Sequence, residues 1–404
     1  MRMRFKIKNI VLLPSVQDDN TSLNDNITFR IARALSNQHV NCIVANWHDI
    51  LILGPNVYIL RGTKVTHDRI KRQDLDPPLK PDYVFYSPIS TTQKIMNKRK
   101  LLSTSEFTMD FQFVRSFQNY NELCYFLLTE ISKRNIPVSF SKYATYWGNK
   151  RHLQTMLSIF ELVSREIVPR PKTWMVQFPK DKNLVGGIIR NFGHCILKPE
   201  NKSRARGISI LNQVNDIEIG NLLDGPYVIQ ELISEPFLFR GRKTDLRVHI
   251  VISDLKKPKY RLLSTVLLRS APEVYVRGNL MSEICNTSYS KALGKRPIVS
   301  TLNLLAKSSK LSTDVYREIK KSIEDTVRRL MNAVAWTAMN YNLLPYLSIW
   351  GIDLLLRKTS VGYTTLVLEV NHYPQFYSGV AEVDEEIDNI FSEVSSHIFY
   401  GAVN

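Results

Sequence analysis

Two apolar runs near the C-terminus constrain this chain most: GIDLLLR (351–357) and LVLEVN (366–371), joined by a polar stretch that can turn a hairpin. Each reads as a buried strand, yet Asp353 interrupts the first and Glu369 and Asn371 the second. Strand side chains alternate between faces. Trp350, Ile352, Leu354 and Leu356 therefore share one face, with Gly351, Asp353 and Leu355 on the other. In the second run, alternation groups Leu366, Leu368 and Val370 against Val367, Glu369 and Asn371. Pairing the runs brings Asp353 beside Glu369 and Asn371. Close carboxylates repel, and an isolated buried charge is costly. A divalent cation relieves both penalties, and a set of hard oxygen donors suits Mg²⁺. The alternative is three strand-end polar residues facing water; spacing leaves both open.

Beneath this pair the sequence predicts a long helix from Ser312, an N-cap residue type. Val315, Ile319, Ile323, Val327, Leu330, Val334 and Ala338 recur at helical spacing. Upstream, TDLRVHIVISD (244–254) and RLLSTVLLR (261–269) predict an antiparallel pair across a KKPK turn. HCILKP, GISILN and YVIQELI predict further strands, and a helix is expected to start near Asn149. Residues 270–311 lack periodic apolar positions and predict a flexible loop. The first hundred residues alternate strand patterns (7–13, 41–47, 57–62, 82–87) with a helix over 26–38, which indicates a small α/β lobe. A helix near 119–134 follows. The expected divisions are 1–110, 111–232 and 233–404.

Among 404 residues, 54 Lys and Arg against 37 Asp and Glu give a formal charge of +17. Such a surface favours polyanionic or acidic partners. Four scattered cysteines without a CxxC spacing read as free thiols in a reducing compartment. The sequence shows neither a signal-peptide pattern nor an apolar run long enough to span a bilayer, so a cytoplasmic protein without a membrane partner is expected.

Three basic elements could line a ligand site. Lys198 ends an apolar strand, and Arg206-Gly207 begin the return strand, a hairpin able to cover phosphates; a solvated basic turn is the alternative. Gln230-Glu231-Leu232 end a strand whose backbone could meet an adenine edge. Lys243, Asp245 and Arg247 share one strand face opposite Leu246, Val248, Ile250 and Ile252. They line a charged ligand or form an ion-pair ladder. Neither a P-loop nor a kinase HRD–DFG set is present.

In this order, ILKP…RARGI, YVIQELI…PFLFRGRKTDLR, ICNTS, GIDLLL and LVLEVNHYP resemble the tubulin–tyrosine ligase-like family of ATP-grasp ligases. The resemblance covers roughly 140–380. It implies an α/β (α+β) ATP-grasp fold that holds ATP between two lobes, preceded by an N-terminal pre-ATP-grasp lobe. It also implies an ATP- and Mg²⁺-dependent ligase that joins a free amino acid to an acidic protein or peptide through an acyl phosphate, a tubulin tail being the first candidate acceptor. Lys150 and Lys198 match lysines that reach ATP phosphates, with Arg206 and Gly207 in the covering loop. Gln230, Glu231 and Leu232 match the adenine hinge. Lys243 and Asp245 match a pair near ribose and base, and Arg247 the arginine facing the reacting phosphate. Arg269 is similar to the arginine that holds the incoming carboxylate. Asn286 matches a nucleotide- and metal-side asparagine; Asp353, Glu369 and Asn371 match the metal ligands. Ala205 departs from an expected glycine, and Thr244 from a phenylalanine. A small-molecule ATP-grasp ligase and a non-catalytic basic binding protein are the alternatives. Nucleic acid is disfavoured as a partner because clustered carboxylates repel it.

Overall fold

The computed structural model describes residues 9–14, 41–44, 50–53, 56–65, 70–81, 83–87, 142–200, 205–212, 224–255, 259–308, 310–339, 348–372, 374 and 380–394. The N-terminal part is a sheet of β1 (Asn9–Pro14), β2 (Asn41–Val44), β3 (Ile50–Leu53), β4 (Asn56–Val65), β5 (Ile70–Leu79) and β6 (Tyr83–Ser87). The strand order is β3-β4-β2-β1-β6, with β5 on β4. β1 runs parallel to β2 and β6; the other pairs are antiparallel. β3 and β5 were not expected. β5 carries Pro77 and Pro78 and pairs only with β4 among the described residues, an edge position where missing N–H donors are tolerated. The helices expected over 26–38 and 119–134 lie outside the described residues.

Helix α1 (Lys142–Gly148) leads into α2 (Lys150–Ser164). Asn149 caps α2, its side-chain oxygen accepting from the His152 N–H at 3.0 Å. The central sheet holds β7 (Thr173–Phe178), β8 (Cys195–Pro199), β9 (Ser209–Leu211) and β10 (Gly225–Glu231) in the antiparallel order β7-β10-β8-β9. Helix α3 (Lys182–Phe192) closes one face, packing Val185, Ile188 and Ile189 on Val176, Leu197 and Ile229. Lys198 and Gln230 are each one residue out of phase with that apolar face and project from the opposite one.

The C-terminal sheet comprises β11 (Leu238–Phe239), β12 (Arg242–Asp254), β13 (Lys259–Ser270), β14 (Ile298–Thr301), β15 (Ser348–Thr359) and β16 (Gly362–Asn371). Its order is β14-β13-β12-β15-β16, with β11 on β12, all antiparallel. Residues 270–311 are not a loop. They form α4 (Leu280–Glu283), α5 (Thr287–Ala292), β14 and α6 (Leu302–Lys307), the helices capped by Asn279, Asn286 and Thr301. Elements this short complete no apolar period, so the pattern was silent.

The expected long helix is α7 (Thr313–Ala338), with the Ser312 side chain as its cap; α8 (Ala381–Val394) ends the described chain. Ile319, Ile323, Val327, Leu330 and Val334 of α7 join Leu246, Val248, Ile250, Trp350, Ile352, Leu354 and Leu356 in one core, which α2 completes with Leu153, Leu157 and Phe160. Each such side chain contributes roughly 1.5–3 kcal/mol on burial. The apolar half of β12 and β15 therefore faces α7, and the charged half faces away.

Alternation fails in β16 as read above. Asp353 pairs with Glu369, but Leu354 pairs with Val367, so Leu368 is the extra residue of a bulge. Val367 consequently joins Val370 in the helix-side core, and Leu366 turns to Leu355 and Ile233 on the other face. Thr365 faces α7, where its hydroxyl bonds the Ser322 carbonyl at 2.9 Å and Thr326 Oγ1 at 2.7 Å. The bulge keeps both ends of the strand satisfied, which strict alternation would not.

Candidate active site

Arg247, Asp353 and Glu369 lie in one row across β12, β15 and β16; Arg269 and Asp245 share the next row. All project away from α7. The Arg247 guanidinium grips Asp353 with Nε–Oδ1 at 2.7 Å and a second bond at 2.9 Å. Arg269 grips Asp245 at 2.7 and 2.8 Å and also reaches Asp353 Oδ2 at 2.9 Å. The charged face of β12 is thus an ion-pair ladder, and a bidentate one. Burial pushes Asp353 up, but Arg247 and Arg269 overcome it and hold its carboxyl well below the usual range. Arg269, itself buried, is held charged by Asp245 and Asp353.

Two guanidiniums cannot neutralise three carboxylates, and Glu369 is the acid left over. The Asn371 amide donates to it at 3.3 Å, and Asp353 is its neighbour across the ladder. Burial, then Asp353, raise the Glu369 pKa. A divalent cation beside the two carboxylates would relieve both the burial cost and the repulsion. Asn371 also approaches Asp353 Oδ2, at 3.4 Å, and turning its amide would present an oxygen to the same place. The donor chemistry fits a hard divalent ion, with Glu369 and Asn371 as the available ligands and Asp353 shared with arginines. Among the described residues no group of three His, Cys, Asp or Glu side chains forms a metal site; this one has two acids and an amide.

Gly351, beside this row, permits close packing. A Cβ there would meet Pro374 Cβ at 2.7 Å and Arg247 Cδ at 3.6 Å. Gly351→Ala is expected to cost about 1–3 kcal/mol. Thermal denaturation checks this, and an unchanged midpoint would contradict the packing argument.

The lysines come from the other side. Lys198 donates to Gln230 Oε1 at 2.7 Å, and Gln230 in turn donates to Thr173 Oγ1 at 3.2 Å. Burial brings the Lys198 amine down to about 8 against the pull of Glu369, with Lys150 and Lys243 adding repulsion. Lys150 is also lowered by burial, with Glu369 and Glu200 opposing. Both lysines therefore lie within electrostatic reach of the unmatched acid. At the hinge, the Leu232 N–H already donates to the His194 carbonyl and the Glu231 N–H to the Lys172 carbonyl. Adenine would have to meet these residues through other atoms.

Other expected residues are placed differently. Lys243 is buried against Glu283, a partner the sequence pattern did not signal, rather than pointing to an open ribose site. The Asn286 oxygen caps α5, accepting from Ser288 N at 2.8 Å. The Arg269 guanidinium engages Asp245 and Asp353 through its Nε and Nη2 atoms. Arg206 is exposed, and Gly207 has φ of 72°. Ala205, in place of the expected glycine, also takes a positive φ of 60°, a conformation that costs an L-residue about 1 kcal/mol.

A four-stranded antiparallel sheet that carries Lys198, followed by an antiparallel sheet that carries the carboxylate–arginine row, is the architecture of an ATP-grasp fold. The fold agrees with the C-terminal domain of K. lactis Pby1, an ATP-grasp enzyme interacting with the mRNA decapping enzyme Dcp2: TM-score 0.55, 15% identity, 96% of this chain and 92% of that one. The chain belongs to the tubulin-tyrosine ligase family, whose sequence model matches residues 150–400. Tubulin polyglutamylase TTLL6 of Mus musculus is 24% identical over 324 residues, covering 74% of this chain and 35% of the relative. Tubulin polyglutamylase TTLL13 of Mus musculus is 27% identical over 243 residues, covering 54% and 29%. The chain thus spans about a third of the length of these curated relatives.

Proposed function

We propose that the chain is an ATP-dependent carboxylate–amine ligase that adds an amino acid, glutamate first among candidates, to an acidic protein tail. The observation that carries this is the unmatched Glu369 carboxylate beside Asp353 and Asn371, within electrostatic reach of Lys150 and Lys198. The names of the relatives make a tubulin tail the first acceptor to try, and the +17 charge suits an acidic one.

Glu369 and Asn371, with a share of Asp353, would hold Mg²⁺, which when bound neutralises phosphate charge. Lys150 and Lys198 contact the phosphates, and the Gln230–Thr173 chain fixes the Lys198 amine. An acceptor carboxylate attacks the γ-phosphorus and ADP leaves; the amine of the incoming amino acid then displaces phosphate from the acyl phosphate. Arg247 is placed to orient the transferred phosphoryl once part of its fork leaves Asp353. The sheet of β7–β10 and the sheet of β11–β16 would form the two sides of the nucleotide cleft.

The test supplies ATP, Mg²⁺, single amino acids and a Glu-rich tail peptide, with ADP and peptide mass as readouts. One glutamyl increment per ADP is expected. ADP release without any peptide increment would remove the ligase assignment.

The lowered Lys198 pKa gives a pH signature. Above pH about 8 the free protein loses this cation, so ATP affinity should fall as pH rises through that value. Lys198→Arg should move the fall to higher pH, because guanidinium stays charged. Coincident profiles would exclude Lys198 from phosphate binding. Stability runs the other way. Between about 8 and the ordinary lysine value the unfolded chain binds more protons, so this group's contribution rises with pH.

A further inference from the structure

A cavity of about 690 Å³ opens away from the carboxylate–arginine row, between the start of β7, the end of α2, α7 and the hairpin end of β15 and β16. Its size is that of a small-ligand site. Four of its charges cancel in pairs: Arg170 with Glu161, and Arg329 with Asp325 at 2.8 Å. Lys172 and Arg357 remain as excess cations on the lining. The Lys172 amine rests over the Phe192 ring at 4.9 Å. Arg357 has no ion pair among the described residues, and its Nε is buried without a hydrogen-bond partner. A buried guanidinium donor left unmade is costly, so this group is built to meet an acceptor.

We propose that this cavity binds a carboxylate, supplied by an acidic side chain of a peptide or by a free acidic amino acid. A planar carboxylate matches the fork of Arg357. Pro169, Pro171 and Trp174 offer apolar wall for the methylene groups behind it. The apolar wall gives inorganic phosphate nothing to pack on, which favours a carboxylate carried on methylene groups. The cavity also touches the nucleotide side: Thr173 on its wall accepts from Gln230, and the Lys172 N–H donates to Glu231 Oε1 at 3.0 Å.

Calorimetric titration of the full chain without nucleotide tests this independently of the ligase reading. The probes are glutamate, a hexaglutamate peptide and inorganic phosphate. Saturable binding of a carboxylate probe is expected, weakened about tenfold by Arg357→Met and also weakened by Lys172→Gln, while Lys198→Met leaves it unchanged. Tighter binding of the peptide than of glutamate identifies the source as a side chain in a chain; the reverse identifies the free amino acid. Equal binding to Arg357→Met, loss in Lys198→Met, or phosphate binding as tightly as either probe overturns the proposal. Because Arg357 has no side-chain partner among the described residues, Arg357→Met should not lower the melting temperature. A clear fall would make the residue structural and overturn the proposal as well.

Discussion

Glu369→Gln is expected to leave the chain folded and reduce Mg²⁺-dependent ATP turnover by about 10²–10³-fold, the scale set by removing one electrostatic group from a reacting centre. Glutamine keeps the shape and can still hydrogen-bond Asp353 and Asn371, so little packing is lost. It cannot carry the negative charge that a bound cation would neutralise. The same substitution should raise the Mg²⁺ concentration needed for half-maximal turnover, because it removes an anionic oxygen from the cation's ligand set. Turnover across a Mg²⁺ titration is measured beside a thermal melt. Native turnover in a folded variant would remove Glu369 as a metal ligand.

Asp353→Ala should behave differently, through stability. Asp353 is the meeting point of Arg247 and Arg269, and both guanidiniums lose their shared acceptor if it is truncated. Breaking a buried ion pair from one side costs about 3–5 kcal/mol, enough to lower the melting temperature by on the order of 10 °C. Asp353→Asn, which retains one acceptor oxygen, should lose less. Loss of activity in Asp353→Ala would therefore report unfolding together with lost chemistry, and Glu369→Gln is the cleaner probe. A melt of Asp353→Ala indistinguishable from the native protein would mean that the arginine ladder does not hold the sheet.

The contrast between the two acids shows what sequence reasoning could and could not reach. Alternation along β12 and β15 was readable because each strand has one face in a helix-backed core, so Leu246, Val248, Ile352 and Leu354 announce the polarity of their neighbours. Asp245, Arg247 and Asp353 could be put on one face for that reason. Which charge each would meet was not readable. Arg269 was assigned by resemblance alone, and only strand pairing shows that it bonds Asp245 and Asp353. The two readings of the β12 charges, ligand lining or ion-pair ladder, were not exclusive: the ladder consumes two acids and exposes the third.

Local pattern alone determined the long helix from Ser312, the helix start near Asn149, the strands that carry Lys198 and Gln230, and the pairing of Asp353 with Glu369. These depend on neighbours within one or two turns or on strict period-two burial. The bulge at Leu368, the β5 edge, the capped helices of 270–311 and the pairing of Lys243 with Glu283 were decided by tertiary structure. Each depends on which surface another segment presents, and a side chain's periodicity carries no information about a partner that arrives from elsewhere in the chain.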